Sequence, residues 1–271
     1  MKSATVKSRL FHSTPCKIAL SVMAVLLWLI VWHITAVRLG KPLLLPTPLA
    51  VAKRLGELIV MSNFWRYTLR SLLRVLGGIV LGVGIAVIVA ALTAAFRPAE
   101  LLFSPLITVI KTTPVASFII LAMLWISDDI LPVFISFLMV FPVVWANLHT
   151  ALRSIPQPYH DLAQIYRLPL LRRIRRIYAP SALPYFLSAC RSSLGLAWKA
   201  GIAAEVLALP ALSIGKQLNE SKLYLETTDL FAWTVVVIVL SLALELCAKL
   251  LFRRLQKKAD EQQKTKEDSA W

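Results

Sequence analysis

Charged residues are scarce in this chain, and acids are the scarcest. Only 16% of its 271 residues are charged, with 14 Asp and Glu against 30 Lys and Arg. Soluble domains are about a quarter charged and about half apolar, whereas 58% of this sequence is hydrophobic and its mean hydropathy is +0.71. A soluble fold would expose much of that apolar surface; helices that each place ~20 apolar residues in a bilayer do not. Cysteine is nearly absent. Cys16, Cys190 and Cys247 lie far apart with no C-x-x-C pair, which excludes a zinc ribbon or dithiol site and leaves Cys190 and Cys247 as small packing residues. His12, His33, His149 and His160 are scattered, and neither H-E-x-x-H nor G-x-S-x-G occurs. No catalytic or metal-binding constellation is therefore expected, and His160 beside Asp161 reads as a polar pair. A G-x-x-x-x-G-K-[ST] phosphate loop is also missing, so ATP hydrolysis by that route is not expected in this chain.

Long apolar runs are abundant. Six candidate spans follow from them: Ile18–Val37; a second from near Leu72 to Phe96; Leu101–Ile126, with Lys111 inside it; Ile130–Leu152; Leu183–Leu209, with Arg191, Lys199 and Glu205; and Leu230–Phe252, with Glu245 and Lys249. Ser127, Asp128 and Asp129 form a turn between the third and fourth. Ile18–Val37 exceeds the usual signal-peptide core of about 7–15 residues and no clear A-x-A site follows, so it reads as a retained first helix. The expected organisation is an N-terminal segment 1–17, a membrane domain 18–252 and a polar, partly disordered tail 253–271. The fold class is all-α and polytopic.

The formal net charge of +16 and the pI of about 10.2 raise nucleic acid as a partner, but membrane topology accounts for them better. Basic residues gather at 2–17, at Arg97, across Arg153–Arg176 and at Arg253–Lys258, while Asp128 and Asp129 fall on the alternate side. The positive-inside rule then places both termini in the cytoplasm, with the first external loop, Arg38–Tyr67, dissenting. In that loop Val51, Leu55, Leu58 and Ile59 recur at helical spacing. An amphipathic helix on the outer membrane surface and a connector packed on neighbouring helices are both compatible with this pattern. Gly78, Gly82, Ala86 and Ala90, four apart, form a smooth stripe suited to close helix packing in lipid.

The basic loop contains two segments. Pro156 and Pro158 start a short helix that runs to about Arg167, because Pro169 disfavours helix at Leu168. After it, Leu171, Ile174, Ile177 and Tyr178 lie on one side, and Arg172, Arg173, Arg175 and Arg176 on the other. Lipid headgroups account for the arginines, but not for the preceding short helix.

At these residues the chain resembles the permease subunits of bacterial binding-protein-dependent ABC importers. Their cytoplasmic signature reads E-A-A, three residues, Gly, nine residues, I-x-L-P. Asp161-Leu162-Ala163 stand at E-A-A, Arg167 stands at the glycine, and Ile177-Tyr178-Ala179-Pro180 end the pattern at the expected spacing. Pro169 is the other candidate for setting the turn that glycine usually makes. Leu45-Pro46-Thr47-Pro48, Ser71-Leu72-Leu73-Arg74-Val75, Lys111-Thr112-Thr113-Pro114, Gly195-Leu196-Ala197-Trp198 and Ala204-Glu205 extend the resemblance, over roughly residues 40–245, to the nitrate/sulfonate/taurine/bicarbonate class.

That resemblance implies a type I importer fold and a homodimer in the cytoplasmic membrane. Two copies of a separate ATPase, which binds ATP and Mg, and an extracytoplasmic binding protein are also implied; this chain itself would need no cofactor. Tyr159, Asp161, Leu162, Ala163, Gln164, Ile165, Arg167 and Leu168, within the loop 153–180, would form the ATPase coupling site. Lys111, Trp198, Lys199 and Glu205 are pathway candidates. Charges in a span cost roughly 2.5–3.5 kcal/mol on insertion scales and so face partners or cavities. Lys199 and Glu205 sit about 120° apart on a helix, which disfavours a direct pair. Interhelical ion pairing and contact with a small anionic or thiamine-precursor-like solute both remain open for these residues. A secondary transporter is the alternative, although no internal repeat supports it.

Overall fold

A computed structural model describes residues 14–268, with side chains from 19 to 254 except at position 160. His12 and most of segment 1–17 lie outside the described residues, as do the side chains of Cys16 and His160. In chain order the helices are α1 (Thr14–Leu39), α2 (Pro48–Val60), α3 (Ser62–Ala95), α4 (Arg97–Thr112), α5 (Val115–Ala122), α6 (Leu131–Arg153), α7 (Gln157–Ile165), α8 (Leu170–Arg173), α9 (Ala179–Ala208), α10 (Ile214–Leu223) and α11 (Thr227–Asp268). No strand occurs among the described residues, and the chain is an all-α polytopic membrane protein.

Among the described residues α1, α3, α6 and α11 are each long and apolar enough to cross a bilayer, and α4 with α5 supplies a fifth span if counted as one. The expected fifth span, Leu183–Leu209, falls in the 30-residue α9, which carries Arg191, Lys199 and Glu205 and is not among the helices that meet that length and apolarity. One expectation needs correction. The third span is not a single helix: it breaks at Thr113–Pro114 and bends by 103°, because Pro114 has no N–H to donate and holds Thr113 in an extended conformation, φ −77° and ψ 132°. The second span begins earlier than expected, at Ser62. The tail is helical through Asp268, in keeping with its Lys, Glu, Gln and Ala content.

The chain divides into two compact units. In the first, which holds the residues up to Phe64 together with Glu220–Val235, Trp32 donates its indole N–H to the Pro46 carbonyl at 3.1 Å and packs on Phe231. Phe64 stacks on Trp233 with ring centroids 5.3 Å apart. Thr47 caps α2 by accepting the Ala50 N–H, and Pro48 opens its first turn. Val51 and Leu58 are buried, and Arg54 donates to both Asp229 oxygens at 2.6 and 2.8 Å and to Glu57 at 3.0 Å. These hydrogen bonds push the Arg54 pKa further up, so its charge is fixed. The segment is therefore a helix packed on its neighbours through Val51, Leu58 and Arg54.

The second unit comprises Trp65–Asn219 and the chain from Val236. Here α3 meets α6 along the small-residue stripe. A Cβ at Gly78 would lie 2.3 Å from the Val133 carbonyl oxygen, and one at Gly82 would lie 2.9 Å from the Val140 Cβ. Ala86 and Ala90 continue the buried line. Trp145 on α6 donates to the Thr93 hydroxyl on α3 at 3.0 Å, and Ser136 on α6 donates to the Ala197 carbonyl on α9 at 3.3 Å. Gly201 on α9 packs so close to Ser136 and Val75 that a Cβ would fall 2.5 Å from the serine oxygen. Small residues thus bring three helices to backbone distance, which is how apolar helices gain contact energy in lipid.

Candidate functional site

The short helix α7 ends in a turn made without glycine. Arg167 adopts the left-handed conformation, φ +45°, a region that side chains with a Cβ enter at a cost of about 1–2 kcal/mol. The Leu168 N–H donates to the Ala163 carbonyl at 3.0 Å and the Arg167 N–H donates to the Gln164 carbonyl at 2.9 Å. This pair of bonds is the Schellman closure, normally built on glycine. Arg173 adds a clamp: its Nε donates to the Leu168 carbonyl at 2.9 Å and its Nη2 to the Ala163 carbonyl at 3.3 Å. The expected turn therefore exists, with the expected helix end moved back from Arg167 to Ile165.

On α7 the side chains sort by direction. Ala163 is buried, while Leu162, Ile165, Tyr159 and the adjoining Tyr166 are exposed by 48, 74, 51 and 71%. Asp161 is exposed and accepts a hydrogen bond from Gln157 Nε2 at 3.2 Å; Gln164 is exposed too. The result is an outward apolar row flanked by one carboxylate. Ile177 is half-buried within a π-helical turn, Ile174–Tyr178, that joins α8 to α9, and Pro180 is exposed in the first turn of α9. In this turn the Ala179 N–H donates to the Ile174 carbonyl, five residues back. The widened register sits where Pro180 lacks an N–H and crowds the preceding turn.

The four pathway candidates are dispersed. Trp198 is buried and donates its indole N–H to the Val237 carbonyl at 3.1 Å. Glu205 is fully buried: it accepts the Ser71 hydroxyl at 2.6 Å, the Gly215 N–H at 3.2 Å and Arg74 Nη1 at 3.4 Å. Arg74 also pairs with Asp129 and donates to the Ala211 and Leu212 carbonyls, while Ser71 accepts the Ile214 N–H. Glu205 thus sits in an interhelical network that pins the 209–214 connection. Lys111 and Lys199 are exposed and take no part in that network.

Three members of these arrangements carried no assignment from sequence. Arg173 was one of four equivalent arginines; Arg74 and Ser71 were visible only as part of the Ser71–Val75 segment. Nothing in residue type marks Leu209 and Leu212 as left-handed, φ +55° and +53°.

A family model described as the binding-protein-dependent transport system inner membrane component matches residues 78–261, more than half of the chain. Among curated proteins, the chain is 25% identical over 214 residues, 79% of its length and 77% of the other's, to a putative aliphatic sulfonates transport permease of Bacillus subtilis. It is 28% identical over 235 residues, 86% of its length and 87% of the other's, to a riboflavin transport system permease of Chloroflexus aurantiacus. To a bicarbonate transport system permease of Synechococcus elongatus it is 27% identical over 209 residues, covering 73% and 75% of the two chains.

Proposed function

The chain belongs to the family of binding-protein-dependent transport system inner membrane components, and from that premise we propose that two copies of it form the solute pathway of an ATP-driven importer. The ATP and Mg sites belong to a separate ATPase, present in two copies on the cytoplasmic side, and an extracytoplasmic binding protein delivers the solute. Both termini lie in the cytoplasm. The observation that carries this reading is the outward face of α7: exposed Leu162, Ile165, Tyr159 and Tyr166 beside Asp161, held on a clamped turn. Such a row suits the groove of a partner, with Asp161 facing a basic side chain there. Closure of the ATPase pair on ATP then favours one of two packings of the spans. Relatives named for aliphatic sulfonates and bicarbonate support a small anion as solute, and the riboflavin relative extends the range to a cyclic one.

The test is Asp161→Lys in the co-expressed transporter. The variant is expected to stay in the membrane at wild-type yield, to lose ATP-dependent uptake and to co-purify with less ATPase. Full uptake by the variant would show that Asp161 has no part in coupling, and uptake independent of ATP would return the protein to the secondary transporters.

A further inference from the structure

With Glu205 committed to the connection at 209–214, the charges in the apolar spans that are left without such a role are Lys111, Lys199, Arg191, Glu245 and Lys249. The last three share a cavity. It has a volume of about 550 Å³ and lies between α9, which contributes Ser188, Arg191, Ser192 and Gly195, and α11, which contributes Glu245 and Lys249. On each helix these positions fall three or four apart, so both elements present one face to the same space. The volume is in the range of small-molecule sites. Gly195 keeps the wall thin, since a Cβ there would stand 3.2 Å from a Glu245 oxygen.

Arg191, Glu245 and Lys249 form no ion pair among the described residues, either with one another or with any neighbour. Opposite charges that share an apolar surround are expected to pair. Here the cavity holds them apart, with two cations against one carboxylate and two serine hydroxyls on the same wall. We propose that this groove binds an oxyanion: its negative oxygens lie between Arg191 and Lys249, the Ser188 hydroxyl donates to it while the Ser192 hydroxyl stays on the Ala189 carbonyl at 3.0 Å, and Glu245 limits the site to a single negative charge. Guanidinium and ammonium donors to such oxygens are the stronger class of hydrogen bond. The oxyanion is either the sulfonate or carboxylate head of a solute in transit, which rests on the transport reading above, or the phosphate of an inner-leaflet lipid, which does not.

The experiment uses the full chain with Ser188→Cys in a background of Cys16→Ser and Cys247→Ser, reconstituted in vesicles of neutral phosphatidylcholine. The labelling rate of the new thiol by a small maleimide is measured with added methanesulfonate, and again with phosphatidylglycerol in place of part of the lipid. Protection by methanesulfonate identifies the solute site, and protection by phosphatidylglycerol alone identifies the lipid site. In either case Arg191→Gln is expected to raise the half-protecting concentration about 10- to 100-fold, as for loss of one charge-assisted hydrogen bond. Absence of protection by both probes, or protection unchanged in Arg191→Gln and in Lys249→Gln, overturns the proposal. Labelling needs no ATPase, so this result is independent of the uptake test of the transport reading.

Discussion

Arg167 shows how one residue departs from a family pattern while the backbone keeps it. The left-handed turn costs an arginine about 1–2 kcal/mol more than a glycine, and the two carbonyls that Arg173 clamps, Leu168 and Ala163, belong to that turn. Arg173→Ala should therefore loosen α7 and lower the amount of ATPase that co-purifies. Adding Arg167→Gly to that variant should restore it, because glycine makes the turn without help. If the double variant stays as poor as the single one, the clamp is not what Arg173 contributes. The same device recurs at 209–214, where left-handed Leu209 and Leu212 lie in a stretch tied by Arg74 and Glu205. Truncating one partner of a buried ion pair costs roughly 3–5 kcal/mol. Glu205→Ala should then cut membrane yield and thermal stability in detergent, and Glu205→Gln, which can still accept from Ser71, should cost less; equal stability of Glu205→Ala and wild type would refute a structural role. The sequence pattern exposed the substitution at Arg167, because a motif with fixed spacing makes a missing glycine visible. It could not expose Arg173 among four arginines, or the leucines, because long-range hydrogen bonding and not residue type places them.

At the scale of helices, most spans were legible because bilayer burial imposes a simple rule on composition, a run of ~20 apolar residues. The break in the third run was harder to read, since Pro114 lies within residues as apolar as those of an unbroken helix and Pro105, in the same run, is accommodated inside α4. The π-helical turn before α9 is marked in the sequence only by Pro180, which by itself reads as an ordinary helix start. The stripe on α3 was legible in spacing but not in partner, which proves to be α6. Its glycines differ in a way that can be measured. Gly78 abuts the Val133 carbonyl, whereas Gly84 has nothing within 4 Å of an added Cβ. Gly78→Ala is expected to force α3 and α6 apart at a cost of about 1–3 kcal/mol, the usual range for overpacking, and to lower the melting temperature in detergent. Gly84→Ala is expected to leave it unchanged or slightly raised. Equal behaviour of the two variants would mean that the helices do not meet along this stripe.

For the membrane domain as a whole, the open question is whether the bent pair α4 and α5 crosses the bilayer or returns to the face it entered from. With α6 taken as a span, ion pairing within the second unit argues for a crossing. Glu100, in the first turn of α4, accepts from Arg153, in the last turn of α6, at 2.5 Å, so these two helix ends share a face. The 23 residues of α6 span ~35 Å, which places its start and the adjoining Asp128 on the opposite face. The chain between Glu100 and Asp128 must therefore pass from one face to the other, as a broken span. The arginines of 153–176 then stand on the face of Arg97, in agreement with the positive-inside rule. In a background lacking the native cysteines, a thiol at Asp128→Cys should react with a membrane-impermeant maleimide added to intact cells. A thiol at Arg172→Cys should react only after permeabilisation. The swapped pattern, with Arg172→Cys reactive in intact cells and Asp128→Cys only after permeabilisation, would make α4 and α5 a re-entrant loop and would reverse the orientation of every helix that follows.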